Sequence, residues 1–225
     1  MKITTDACLF GAWLVNEIEN EKLKMKNALD IGTGTGLLSL MYAQKNSSAI
    51  IDAMEIDEET YEQAKENAVA SSFAERIQVI HSDVKFFMFI KKYDVIISNP
   101  PFYEKEIRPG NEKKNVAHHQ SGLLLSELPD IIKGNLSPAG LFYLLLPFKR
   151  NKEIMKILLK HDLFVSKIIF VRQSPKHNYF RLMIEGKLKQ RDQVETRIEE
   201  ISIWNEQQQY TSEFKDLLKD YYLKF

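Results

Sequence analysis

Lys26 to Gly36 reads KNALDIGTGTG. Its first half, with Ala28, Leu29 and Ile31 apolar, predicts a short buried strand. Its second half, Gly32-Thr33-Gly34-Thr35-Gly36, is a turn that lets backbone approach backbone and ligand closely. The residues that follow, LLSLMYAQ, predict a helix with Leu37, Leu40 and Met41 on one side. The turn therefore presents N–H groups at a helix N-terminus. Its spacing is G-x-G-x-G rather than the dinucleotide fingerprint G-x-G-x-x-G, and with no Walker lysine it is not a P-loop.

Downstream, strands and helices alternate. Ala49 to Met54 (AIIDAM) predicts a second strand, and Glu58 to Ser71 a helix capped by Asp57. Ile77 to Ile80 predicts a third strand, followed by His81-Ser82-Asp83 and an aromatic-rich helix around Phe86 to Ile90. The fourth strand starts at Tyr93 and runs through Val95, Ile96 and Ile97, three β-branched residues. It stops at Asn99-Pro100-Pro101-Phe102, because two prolines supply no N–H and hold the chain extended. That leaves an amide side chain, a carbonyl without a ladder partner and an aromatic ring at a strand end. The set suits a planar group carrying an NH2, such as a nucleobase or a carboxamide; a proline loop that merely ends a strand is the plainer alternative.

Residues 103–121 form a long, charge-dense loop, a length that is usually functional or disordered. Beyond it the pattern predicts a helix over Gly122 to Asn135, a turn at Ser137 to Gly140, a strand at Leu141 to Leu146 and a helix over Asn151 to His161. Phe164 to Arg172 and Tyr179 to Glu185 read as an antiparallel hairpin around residues 173–178. A polar linker over Lys187 to Gln193, an alternating stretch RIEEISIW and an amphipathic helix from Ser212 complete the chain. The expected fold is α/β: a doubly wound, mostly parallel sheet with an antiparallel C-terminal hairpin. Residues 1–190 are expected to form the main domain and 191–225 an extension packed on it. Upstream, turn chemistry at Thr4-Thr5-Asp6 precedes helically spaced Leu9, Trp13 and Ile18, with Thr5 or Asp6 as the cap.

The 225 residues suffice for one substantial core, and 44% hydrophobic with 28% charged residues is an ordinary soluble composition. One cysteine, Cys8, excludes an intrachain disulfide and a thiolate zinc cluster, and fits a reducing compartment. It sits in an apolar run and reads as a small buried residue. No apolar run approaches the roughly 20 residues of a membrane span, and the N-terminus lacks a signal-peptide core. The expectation is a cytoplasmic monomer. His118-His119 lacks a third partner at metal-site spacing, so no metal is expected.

Net charge is zero but unevenly spread. Residues 1–100 carry 10 Lys/Arg against 15 Asp/Glu, and residues 101–192 carry 17 against 9. A basic middle between acidic ends points to a local anionic partner, and its loop carries Lys105, Arg108, Lys113 and Lys114. Lys149 and Arg150 extend that set, followed by Arg172, Lys176 and Arg181. The alternative for each is a solvated charge. Glu55, about 20 residues past the glycines at the end of strand two, is placed to accept two ribose hydroxyls. Asp83, ending strand three, is placed to meet an adenine amino group or to cap a helix.

Taken in order, DIGTGTG, Glu55, Asp83 and NPPF resemble the successive strand-end motifs of class I S-adenosylmethionine-dependent methyltransferases. NPPF resembles the motif of those that methylate amino groups. TTDACLFGAW at Thr4 to Trp13 and YTSEFKDLLKDYYLKF at the C-terminus narrow the resemblance to the bacterial tRNA1(Val) (adenine-N6)-methyltransferase family. Its members carry a longer segment ahead of the Thr-Asp motif than is present here. The resemblance implies that S-adenosylmethionine lies over Asp30, Gly32, Thr33, Gly34 and Gly36 at the first strand end. Glu55 and Ile56 would meet it at the second, Asp83 and Val84 at the third, and Asn99 at the fourth. Thr5, Asp6 and Gly11 would then stand near its methionine end, with residues 1–20 as a cofactor lid. Asn99, Pro100, Pro101 and Phe102 would be catalytic, the substrate tRNA, and residues 103–121 the substrate loop. Two rivals keep the motif and change the acceptor: a release-factor glutamine, which NPPY serves, and guanine N2 of ribosomal RNA.

Overall fold

The computed structural model describes residues 3–20, 25–100, 123–189 and 195–224. Its centre is an eight-stranded sheet in the order β3-β2-β1-β4-β5-β7-β6-β8. The strands are β1 (Asn27–Ile31), β2 (Ile50–Glu55), β3 (Ile77–His81), β4 (Tyr93–Ser98), β5 (Leu136–Pro147), β6 (Leu163–Arg172), β7 (Tyr179–Leu188) and β8 (Arg197–Ser202). All pairings are parallel except those of β7, which is antiparallel to both β5 and β6. The carboxyl ends of the other strands therefore share one edge of the sheet. The predicted mostly parallel sheet and its C-terminal hairpin are both present.

Helices cover both faces, and strand alternation explains why. Leu141, Tyr143 and Leu145 point into the core under α1 (Thr5–Asn20) and α2 (Leu37–Lys45), while Phe142, Leu144 and Leu146 point into the other. Phe214 and Leu218 of α6 (Ser212–Leu218) join the first core. Ile132 of α4 (Leu128–Asn135) and Ile154 and Leu158 of α5 (Asn151–Lys160) seal the second. The predicted Asp57 cap of α3 (Glu58–Ala70) forms, its Oδ1 accepting from Thr60 N at 2.9 Å. Thr211 caps α6 by accepting from Phe214 N at 3.2 Å.

Three local expectations fail. Phe86 to Ile90 is not a helix: Phe86, Met88 and Ile90 are exposed, while Phe87 and Phe89 pack on the second core. That alternation is the period of extended chain, and an edge-on ladder of Phe87, Phe89 and Tyr93 rings holds it. The helix expected from Gly122 begins only at Leu128. Pro129, which lacks an N–H, is tolerated only in a first helical turn and so marks the start. Ser137 to Gly140, expected as a turn, lies inside β5, where the pairing with β4 shifts register between Tyr93 and Val95. Gly140 is needed there because a Cβ would stand 3.0 Å from the Asp94 carbonyl. RIEEISIW supplies the edge strand β8, whose exposed Arg197, Glu199 and Glu200 discourage further pairing.

Candidate active site

The site is built where β1, β2, β3 and β4 end side by side. Ile31 lies opposite Met54 on one flank and Ser98 on the other, and Glu55 lies opposite His81. The glycine turn is pinned to β2 because Gly32 N and Thr33 N both donate to the Met54 carbonyl at 2.9 Å. Gly32 and Gly36 take φ of +69° and +81°. A Cβ at Gly32 would meet nothing within 4 Å, so conformation, not space, demands glycine there. Gly36 leads directly into α2 with no side chain capping that helix.

Two acids organise this turn. Glu55 Oε2 accepts from Gly34 N at 3.0 Å, and its Oε1 accepts from Ile56 N and Asp57 N at 2.9 and 3.0 Å. Its carboxylate thus faces the glycine turn, while Asp57 does the capping. Asp30 is fully buried, and its Oδ2 accepts the hydroxyls of Thr33 and Ser39 at 2.6 and 2.7 Å. Its Oδ1 is buried with no hydrogen-bond partner. Burial pushes its carboxyl up to about 6; the two hydroxyls pull it down and the Glu55 charge pushes the same way as burial. Asp30 therefore braces the turn from below.

At β3, Asp83 Oδ1 accepts from Lys85 N at 2.9 Å, closing a small turn instead of capping a helix, and the Lys85 ammonium lies 3.6 Å from Oδ2. Val84 beside it is buried. Ile56 stays 41% exposed next to Glu55, an apolar surface left open at the edge of the cleft. At β4, Ser98 Oγ donates to the Ile31 carbonyl at 2.9 Å, tying the strand to the glycine turn just before half-buried Asn99 and buried Pro100. Pro101 and Phe102 lie outside the described residues, as do Lys105, Arg108, Lys113, Lys114 and His118-His119.

The α1 motif divides. Asp6 Oδ2 accepts from Arg181 Nε at 2.5 Å. Burial would raise the Asp6 carboxyl, but the Thr4 hydroxyl and the Arg181 guanidinium together hold it below the ordinary aspartate value. Gly11 faces α2: a Cβ there would stand 2.6 Å from Met41 Sδ, so this glycine sets the close approach of the two helices. Of the basic residues, Arg150 grips Glu153 with Nε and Nη2 at 2.8 and 2.6 Å, and Arg172 reaches Glu200 and Ser202. Lys149 and Arg150 form the turn that follows β5, at the same edge of the sheet. Arg181 and Arg172 are thus engaged within the fold rather than held out as bare charges.

Two residues escaped the sequence reading. Ser39 holds Asp30, and a lone serine among Leu37, Leu38, Leu40 and Met41 was its signal. Lys85, two residues past Asp83, left none. Among the described residues, no cluster of three His, Cys, Asp or Glu is placed for a metal, and no helix is long and apolar enough to cross a membrane.

Residues 11–125 match the methyltransferase small domain family. A predicted O-methyltransferase of Agrobacterium tumefaciens superposes with a TM-score of 0.70 at 16% identity, covering 92% of this chain and 95% of that one. The sheet, its strand-end motifs and the matched domain define a class I methyltransferase. The tRNA1(Val) (adenine(37)-N6)-methyltransferase of Christiangramia forsetii is 37% identical over 100% of this chain and 92% of its own length. The protein of that name in Dyadobacter fermentans is 36% identical over the same shares. The chain belongs to the tRNA1(Val) (adenine(37)-N6)-methyltransferase family.

Proposed function

We propose that this protein transfers a methyl group from S-adenosylmethionine to the exocyclic N6 of an adenosine in tRNA, at position 37 of tRNA1(Val), in the cytoplasm. The observation that carries the reading is a register: Ile31 leads into the glycine turn, and its neighbour Ser98 leads into Asn99-Pro100. A cofactor held by the turn and an amine held by the amide are thereby brought side by side. The donor set fits the cofactor. Glu55 keeps acceptor capacity on Oε2, which takes only the Gly34 N–H, for a ribose hydroxyl; exposed Ile56 offers an apolar face to adenine, and the Asp83 carboxylate after β3 is assigned the adenine amino group. Bound S-adenosylmethionine supplies an electrophilic methyl on a cationic sulfur.

An adenine amino group is a poor nucleophile because its lone pair is delocalised into the ring. Asn99 Oδ1 and the Pro100 carbonyl accept its two N–H bonds, drawing the nitrogen toward tetrahedral geometry and turning its lone pair to the methyl. By the sequence motif, Pro101 is expected to fix the loop and Phe102 to stack on the base. Rate comes from alignment and preorganised dipoles. No strong base is needed, and Asp30, turned inward onto Thr33 and Ser39, is not placed to act as one; the proton leaves to water after transfer. An anticodon loop yields an unstacked base more readily than a duplex does.

The test is incubation with labelled S-adenosylmethionine and unmodified tRNA1(Val) transcript, with a release factor and ribosomal RNA in parallel. N6-methyladenosine in the tRNA, lost when position 37 is changed, is the expected result. Label in the release factor, or as N2-methylguanosine, would overturn the acceptor and keep the fold.

A further inference from the structure

At the other end of the same sheet edge lies an open cavity of about 250 Å³ lined by Thr5, Asp6, Gln173, Phe180, Ile203 and Trp204. Building on the tRNA reading above, we propose that it is a second nucleobase pocket, which takes a base adjoining the target adenosine once the loop is unstacked.

Its walls come from four parts of the chain and are fixed. Gln173 follows β6 and Ile203-Trp204 follow β8; Trp204 N donates to the Gln173 carbonyl at 2.8 Å and Ile203 N to the Arg172 carbonyl at 3.1 Å. Thr211 Oγ1 and N donate to the Ser202 and Ile203 carbonyls at 2.7 and 3.0 Å, clamping the segment from behind. The Asp6–Arg181 pair ties the start of α1 to β7.

Trp204 carries the inference. It is 36% exposed, whereas the other tryptophan, Trp13, is buried. Behind it stands a stack: Tyr210 at 4.2 Å and 21°, then Phe214 at 4.8 Å and 9° from Tyr210. The indole is thus held rigidly at the cavity wall, which lowers the entropy lost when a ring is laid on it. The cavity falls below the roughly 300–1,000 Å³ of drug-sized ligand sites, as suits one planar ring system. Beside the ring the Gln173 amide offers both donor and acceptor, Thr5 a hydroxyl, and Asp6 an acceptor, so a base edge can be read as well as stacked. The charge of Asp6, which would repel RNA, is matched by Arg181, and exposed Lys176 stands in the turn that follows Gln173. Splaying loop bases onto aromatic side chains is how single-stranded RNA is commonly read.

The position orders the substrate. Asn99 at β4 lies between the glycine turn at β1 and the pocket at β6 and β8. A nucleotide placed in the pocket would anchor the loop on the side of Asn99 away from the glycine turn.

The experiment compares full-length protein with Trp204→Ala and Trp204→Phe, using tRNA1(Val) anticodon stem-loops that are intact or abasic at position 36, at 38, or at the target position 37 between them. Affinity is read by anisotropy of fluorescently labelled RNA and by KM for methylation, and folding by circular dichroism and cofactor Kd. For intact RNA, Trp204→Ala is expected to raise KM about 10- to 100-fold with cofactor Kd unchanged, and Trp204→Phe to recover most of it. One abasic RNA should weaken the wild type by a similar factor and leave Trp204→Ala unaffected. Equal losses in wild type and variant for both abasic RNAs would overturn the pocket. If only loss of base 37 erases the difference, the cavity holds the target itself and the proposal falls. Absence of methylation of every intact RNA by the wild type would instead defeat the tRNA reading, a result distinct from these.

Discussion

The two ends of the sheet's carboxyl edge are built differently. On the β1–β3 side, Asp30 through Gly36, Glu55 to Asp57, and Asp83 to Lys85 each supply their groups from a few consecutive residues, much of it backbone. On the β6–β8 side, Asp6, Arg181, Gln173 and Trp204 meet only because distant segments converge, and their chemistry is carried by side chains. One end suits a ligand that does not vary, gripped by strand-end backbone. The other suits a variable polymer, read by side chains that a few substitutions can retune. Asn99 stands between them on β4.

That division orders the expected effects of substitution. Asn99→Ala, at the junction, is expected to lower methyl transfer about 100- to 1,000-fold, or about 3–4 kcal/mol, with calorimetric cofactor affinity nearly unchanged. A matching loss of cofactor binding would make Asn99 part of the cofactor end instead.

Asp30→Asn probes the buried brace. The folded carboxyl titrates near 6 against the ordinary 3.8, so the folded protein binds the proton more tightly than the unfolded chain. Stability from this group is therefore greatest at acid pH and falls as pH rises from about 4 to 6, by about 3 kcal/mol. The stability of Asp30→Asn relative to wild type should rise by that amount between pH 4 and pH 7 in urea titrations. A constant difference would place the titration elsewhere.

Glu55→Ala should weaken cofactor binding about 10- to 100-fold, since it removes a charged acceptor worth about 1.5–3 kcal/mol, while Trp204 quenching by RNA persists. Loss of that quenching would show the two ends to be coupled. The smallest effect is expected from Arg181→Met, which strips Asp6 of its cation. The Arg181 side chain is 35% exposed, so screening limits the cost to about 1 kcal/mol, or roughly 2–4 °C in Tm. The Asp6 carboxyl is held below its ordinary value, so this stability is present at neutral pH and lost as pH falls through the folded value. A Tm difference that grows in acid would contradict the pairing.

How much was legible follows the same division. The glycine turn and NPP were readable because glycine and proline act locally on φ and on the N–H, whatever the rest of the chain does. That Glu55 ends β2 beside the glycine turn was readable from its distance along one βαβ unit. The Phe86–Ile90 segment misled because a run of aromatic residues carries no unambiguous period; only the ring ladder to Tyr93 made it extended. Arg181 was read as a phosphate contact, or else a solvated charge, because nothing near it in sequence announces Asp6, 175 residues away.

By itself, then, the sequence determined the alternating α/β order, the glycine turn and the amide-proline strand end. In each, the deciding residues are neighbours and the energy is local. The tertiary structure alone decided which basic residues are spent on internal acids, that Ser39 braces Asp30, and that Trp204 stands beside Asp6. Those pairings depend on which strands lie next to which, and the β5-β7-β6-β8 order is set by the packing of two cores on opposite faces of the sheet.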